Sequence, residues 1–149
     1  MRISVRQAGL ADVDIIAPLF DNYRQFYRQL SDLPLARNFI HERLARLESV
    51  IFLAESDDGT TVGFTQLYPS YSSIAARRTW VLNDLFVIEK ARGYGVGSAL
   101  LNAAKSHAQA SGATQLDLST AHDNPAQKLY EAHGYVRDDN YYHYSLMVA

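Results

Sequence analysis

The stretch from Trp80 to Leu101 constrains this chain more than any other. It reads as a strand, a glycine-rich loop and a helix. Residues Thr79 to Val87 are apolar, β-branched and aromatic, as a buried strand requires. The helical part opens near Val96 to Ser98 and continues through Leu100, Leu101, Ala103, Ala104 and His107. Between them lie Arg92, Gly93, Tyr94, Gly95 and Gly97. Such a turn is built for an anion. The first amides of a helix lack intrahelical partners and carry the positive end of its dipole. Glycines let a phosphate approach that backbone, and Arg92 adds a full charge.

Three phosphate-binding patterns compete. A Walker loop ends in Gly-Lys-Ser/Thr, but here Ser98 follows Gly97 with no lysine between. A dinucleotide fingerprint opens the first βα unit, whereas these glycines lie deep in the chain. The third pattern, Arg/Gln-x-x-Gly-x-Gly/Ala after a central strand, is met at every position by Arg92-Gly93-Tyr94-Gly95-Val96-Gly97. Downstream stands Asn124-Pro-Ala-Gln-Lys-Leu-Tyr130-Glu-Ala-His-Gly134-Tyr135. Together, in this order and spacing, the two blocks resemble the acetyl-CoA site of the GNAT superfamily of N-acetyltransferases, and the resemblance covers nearly the whole chain.

The totals narrow the alternatives. At 149 residues, 48% hydrophobic and 20% charged, the expectation is one globular domain spanning 1–149. A net charge of −2 disfavours a non-specific nucleic-acid binder. Without cysteine there is no disulfide, thiol nucleophile or zinc–thiolate site, which suits the cytoplasm. No apolar run at the N-terminus suggests a signal or membrane span.

In chain order, Ile3–Gln7 reads as a strand, and Asp12 as the cap of a helix reaching about Leu30, with Pro18 either kinking it or marking its start. A break at Ser31–Pro34 precedes a second helix from Leu35 to Leu47. Val50–Glu55 and Thr61–Tyr68 form a hairpin, and Pro69–Arg78 a polar connection. After the central strand and third helix come a strand at Thr114–Ser119, a helix opened by Asn124-Pro125 and closed by Gly134, and terminal strands at Tyr135–Arg137 and Tyr141–Val148. The order βααβββαβαββ is that of the GNAT fold. The resemblance implies an α/β (α+β) architecture: a mixed, mostly antiparallel sheet with splayed central strands and helices on both faces.

The same resemblance assigns roles. The backbones of Leu85, Phe86 and Val87 would pair with the pantetheine arm, since diverging parallel strands leave N–H and C=O groups without partners. Arg92 and the amides of Gly93 to Ser98 would hold the pyrophosphate, Lys90 and Lys128 could reach the remaining phosphate, and Asn124 would bond the arm while capping its helix. Tyr130 is the expected general acid, because a phenol (reference pKa ~10) can protonate a thiolate (about 8.5). Relatives carry glutamate on the central strand where this chain has Asn83 or Val81, so the base stays open between Asp84, His122, His143 and water. The acceptor pocket is expected around Tyr23, Tyr27, Tyr68, Tyr71, Tyr141 and Tyr142, with Asp21 and Asp32 as lures for a cation. The Phe86 amide is the expected donor to the developing oxyanion.

These readings imply transfer of an acetyl group from acetyl-CoA to a primary amine, a small amine or polyamine before a protein lysine, with no metal required. A non-catalytic acyl-CoA sensor on the same fold is the alternative. By analogy with the family a homodimer is expected, with the terminal strands as its route.

Overall fold

The computed structural model describes residues Met1–Ala149, which form two compact units, Met1–Ser119 and Thr120–Ala149. The first holds strands β1 (Ile3–Gln7), β2 (Val50–Ser56), β3 (Thr61–Ser72), β4 (Arg77–Val87) and β5 (Leu116–Asp117), with helices α1 (Val13–Phe26), α2 (Leu33–Ala45) and α3 (Val96–Ala110). Its sheet has the order β1-β2-β3-β4-β5. Neighbours are antiparallel except β4 and β5, which run parallel.

Alternation along β2 builds two cores. Ile51 and Leu53 join Ile16, Phe20, Ile40 and Leu44 of α1 and α2. Phe52 and Ala54 face the other way, against Val96 and Leu100 of α3. Helices therefore cover both faces of the sheet, as the side-chain period of two demands. α1 runs unbroken through Pro18 and stops at Phe26, four residues short of the expected end. Just past it Arg28 takes a left-handed φ of 68°. Asp32 caps α2 by accepting the Leu35 amide at 3.1 Å, so α2 begins at Leu33, inside the expected break.

Two further expectations change. The segment Pro69–Arg78 is no loose connection: β3 continues to Ser72 and β4 starts at Arg77. Pro69 lies opposite Trp80, whose N–H points to β5 and donates to Gln115 O at 3.1 Å. The proline therefore occupies a site where the β3–β4 ladder needs no donor. Arg78 fastens the extension, its guanidinium 4.5 Å from the Tyr71 ring and 5.3 Å from the Trp80 ring.

The second correction concerns the C-terminal residues. The second unit contains α4 (Gln127–Ala132), which starts after a turn at Pro125 and Ala126, with Gly134 following at φ 90°. Tyr135–Arg137 and Tyr141–Val148 are not strands, and the sheet ends at a β5 of two residues. A strand exists only with a ladder partner, and the backbone–backbone bonding ends where the Tyr135 N–H meets Tyr130 O at 3.1 Å.

One strand glycine sets how closely α3 lies on the sheet. A Cβ on Gly63 would stand 2.7 Å from Phe86 O and 3.2 Å from Val96 Cγ1. The obstruction is backbone on one side and the first turn of α3 on the other. Gly63→Ala should destabilise the protein by about 1–3 kcal/mol, as overpacking of a filled core does, read as a lowered urea midpoint. An unchanged midpoint would show that the approach is looser than this geometry requires.

Candidate active site

The site is built around an extra residue in β4. Leu67 pairs with Leu82 and Gln66 with Asp84, so Asn83 has no partner and forms a β-bulge. Before the bulge, Arg78 and Trp80 turn their backbone groups to β5: Thr114 N–H donates to Arg78 O and Trp80 N–H to Gln115 O. After it the parity reverses. Ile88 donates to Val62 O at 2.9 Å, which makes Ile88–Val62, Phe86–Phe64 and Asp84–Gln66 the hydrogen-bonded pairs. Leu85 and Val87 consequently direct their N–H and C=O away from β3. β5 pairs with β4 only at Trp80 and Val81, so that side of β4 is open from Leu82 onward.

This geometry refines the expected backbone contacts. Leu85 and Val87 present peptide groups to the open side, while Phe86 spends its own on β3. The expected oxyanion donor, the Phe86 amide, is thus turned into the ladder, and the Leu85 amide takes the outward position.

The open edge leads into the glycine loop. A 3-10 turn at Glu89–Ala91 follows β4, and Arg92 returns its Nε to Val87 O at 3.0 Å. The Arg92 guanidinium also lies 5.9 Å from the Phe26 ring of α1. Gly93 and Gly95 have φ values of 84° and 80°, a region that L side chains enter at a cost. A Cβ at either would meet nothing within 4 Å, so the requirement is conformational, with open space above. α3 then begins, its first bond running from Ala99 N–H to Gly95 O at 3.0 Å. The Val96 and Gly97 amides precede that bond and have no acceptor within the helix. Gly93, Tyr94 and Gly95 are exposed, whereas Val96 is buried and anchors the helix start. Lys90 is exposed beside the loop.

Next to the bulge lies the carboxyl of Asp84, a candidate base. Asp84 is only 2% exposed. Gln66 Nε2 donates to its Oδ2 at 2.5 Å and Asn83 Nδ2 to its Oδ1 at 2.8 Å. Burial pushes the Asp84 carboxyl above the usual range, against bonds from Asn83, Gln66 and Tyr23 that favour the charged form. The Tyr68 phenol is pushed up in turn, by its own burial and by the Asp84 charge. Tyr23 donates its hydroxyl to Asn83 O at 3.2 Å and packs edge-on against Phe64, Phe86 and Tyr27. The structure thus gathers Tyr23, Tyr27 and Asp84 around the bulge. Tyr71 lies outside this group, 71% exposed and occupied with Arg78.

The two acids expected to attract a cation serve the fold instead. Asp21 is buried, accepting from Ser31 Oγ at 2.7 Å and Asp32 N at 2.8 Å, and those bonds hold its carboxyl below the usual range. Asp32 is the α2 cap.

In the second unit, Asn124 is half-buried and its Oδ1 accepts the Ala126 amide at 2.9 Å, the capping half of its expected double role. Gln127 ties the preceding loop through Nε2 to Ala121 O and His122 O. Tyr130 is buried on α4, its ring 6.0 Å from that of Tyr135. Lys128, His122, His143, Tyr141 and Tyr142 are exposed. Gln66, Gly63 and the Asn83 bulge were missed by sequence reasoning. The available signal for Gln66 was a lone amide within the apolar run Val62–Leu67.

Known acetyltransferases resemble this chain in sequence and in fold. The family model described as Acetyltransferase (GNAT) family matches residues 16–135. The chain is 50% identical over 147 residues to an uncharacterized N-acetyltransferase, YhfO, of Bacillus subtilis (strain 168), covering 98% of each. It is 34% identical over 94 residues to a probable acetyltransferase of Haemophilus influenzae, covering 63% of this chain and 64% of that one. Among solved structures, a probable acetyltransferase superposes with a TM-score of 0.92 at 44% identity, over 100% of this chain and 99% of the other. The chain is a member of the GNAT acetyltransferase family.

Proposed function

We propose that the protein transfers an acetyl group from acetyl-CoA to a primary amine, by direct transfer in a ternary complex in the cytoplasm. The observation that carries this reading is the continuity between the outward peptide groups of Leu85 and Val87, Arg92, and the Val96 and Gly97 amides, which have no acceptor within α3. The donor set fits the cofactor: an amide-bearing arm finds backbone donors and acceptors, and a pyrophosphate finds a helix start with a guanidinium beside it. Bound there, acetyl-CoA supplies an acetyl group activated as a thioester.

The residues of the chain do the rest. The Leu85 amide donates to charge developing on the acyl oxygen. Asp84, desolvated and held above the usual carboxylate range, takes the proton that an ammonium must lose before it can attack, directly or through water. Tyr130 gives a proton to the departing sulfur. Asn124 and Lys128 match the family's cofactor-binding positions. Tyr23 and Tyr27 offer ring faces to a cationic amine, with Tyr68 beside them. Asp21 and Asp32 are already committed, so the aromatic rings and Asp84 set the preference for a small amine or polyamine over a protein lysine.

The reading is tested by thiol release from acetyl-CoA with a panel of diamines, spermidine, free lysine, aminoglycosides and a lysine peptide. Release with one class is expected, abolished in Arg92→Glu/Gly95→Trp and reduced about 10²–10⁴-fold in Tyr130→Phe, the range for losing a general acid. Acetyl-CoA binding with no release for any amine would favour a non-catalytic sensor.

Asp84 gives a prediction with a definite sign. The ionised base exists only above the raised folded pKa, so kcat/KM should climb with pH through that value. Asp84→Asn should lose turnover by about 10²–10⁴-fold and flatten the profile. Stability runs the other way. The contribution of this group is full below the unfolded value, about 3.9, and is lost as pH rises through the folded one. Asp84→Asn should therefore gain stability relative to the parent as pH rises, measured by thermal unfolding. Gln66 can accommodate the change by rotating its amide, since its Oε1 is buried without a partner. Full turnover in Asp84→Asn would remove Asp84 as the base.

A further inference from the structure

Asp21 and Asp84 are both buried, but their partners differ in kind. Asp21 accepts from Ser31 Oγ at 2.7 Å, the Asp32 amide at 2.8 Å and Gln25 Nε2 at 3.1 Å. A backbone amide can only donate, so that set suits a carboxylate that stays charged. The Asp84 carboxyl accepts from two side-chain amides, Gln66 Nε2 at 2.5 Å and Asn83 Nδ2 at 2.8 Å. Each of these carries an acceptor oxygen beside its donor.

Of the two, Gln66 is the constrained one. Asn83 is exposed, and its amide can trade Asp84 for water. Gln66 is fully buried, and its Oε1 has no hydrogen-bond partner. Its cross-strand neighbours are Asp84 on β4 and Ile51 on β2, whose side chain has no donor. Thr65 Oγ1 donates to the Asp84 carbonyl at 2.8 Å, so β3 grips the backbone of the acid as well as its carboxyl. Buried acceptors are normally paired, and an orphan requires a reason. The chemistry of Asp84 supplies one. An ionised carboxyl needs a donor, and a protonated one needs an acceptor. Half a turn of the Gln66 amide puts Oε1 where Nε2 now stands, within the same reach of Asp84 Oδ2.

We infer that Gln66 is the positioning residue of the Asp84 carboxyl, its Nε2 donating to Oδ2 while Asp84 is ionised and its Oε1 accepting the Oδ2–H once Asp84 holds a proton. The carboxyl then gains and loses its proton in a buried site without leaving Oδ2 unpaired in either state. The inference rests on the proposed role of Asp84 as base only where turnover is concerned. Three other titratable or charged groups bear on this site. Tyr23 on α1 bonds the Asn83 carbonyl and favours the charged form of Asp84. Tyr68 on β3 has its phenol pushed up, by burial first, and stays neutral where Asp84 titrates. Arg43 on α2 acts on Tyr68 and is itself held by Glu42 at 3.0 Å and Glu48 at 3.2 Å.

The test is carbon-13 NMR of the Asp84 carboxyl against pH in the free protein, with Asp84→Asn assigning the signal. In the parent, the Gln66 side-chain amide signals should shift with the same midpoint as the Asp84 carboxyl. Gln66→Met keeps the length and removes both polar atoms. The charged form then loses the stronger bond, so the Asp84 midpoint should rise by about one pH unit. The rising limb of kcat/KM should move up by the same amount, with the lost activity recovered above it, whereas a merely structural lesion lowers activity at every pH. A Gln66 amide that stays unmoved while Asp84 titrates would overturn the inference, and so would an unchanged Asp84 midpoint in Gln66→Met of parental circular dichroism. A midpoint that rises while the kinetic limb stays in place would uphold the pairing and remove Asp84 as the base.

Discussion

The site depends on a single inserted residue. Asn83 has no partner on β3, and that one-residue slip reverses which peptide groups of β4 face outward. Without it, the outward parity of Trp80 would pass to Asp84 and Phe86. With it, Leu85 and Val87 face the open side, and the Val87 carbonyl lies where Arg92 can reach it. The bulge also places Asp84 against Gln66 and offers the Asn83 carbonyl to Tyr23. Backbone donor, candidate base and acceptor wall therefore share one cause.

The rest of the first unit holds that feature in place. Gly63 removes the Cβ that would keep the start of α3 away from Phe86, so the helix dipole opens beside the end of β4. Asp21 spends a buried carboxylate on the α1–α2 turn, which secures the helix bearing Tyr23. Charged groups in this protein thus divide by partner. Asp21, met by a hydroxyl and a backbone amide, is held in its charged form. Asp84, buried with two side-chain amides, is raised.

Much of this was legible in the sequence because it is written in local chemistry. The glycines at 93 and 95 meet a requirement for positive φ, and Arg92-x-x-Gly95-x-Gly97 has few other readings after an apolar strand. The α1–α2 pair follows from helical periodicity, and the splay of β4 from β5 from the family order. What was not legible is relational. No residue type announces a bulge, so the parity of Phe86 could not be read from Leu85-Phe86-Val87 alone. Pro69 reads as a breaker until its register opposite Trp80 shows that no donor is needed there. Tyr141–Val148 has the residues of a strand, but it is not one, because a strand's existence depends on a ladder partner that the sequence does not place. Asp21 and Asp32 looked available because the groups that donate to them lie between the two helices and in the first turn of α2.

The most direct test of the account is residue-resolved amide hydrogen exchange along β4, with and without acetyl-CoA. In the free protein, the Leu85 and Val87 amides should exchange fast while those of Asp84 and Phe86 are protected. Acetyl-CoA should slow Leu85 and Val87, together with Val96 and Gly97, and leave Phe86 as it was. Protection of Leu85 in the free protein, or slowing confined to Phe86, would contradict the parity on which the site is built.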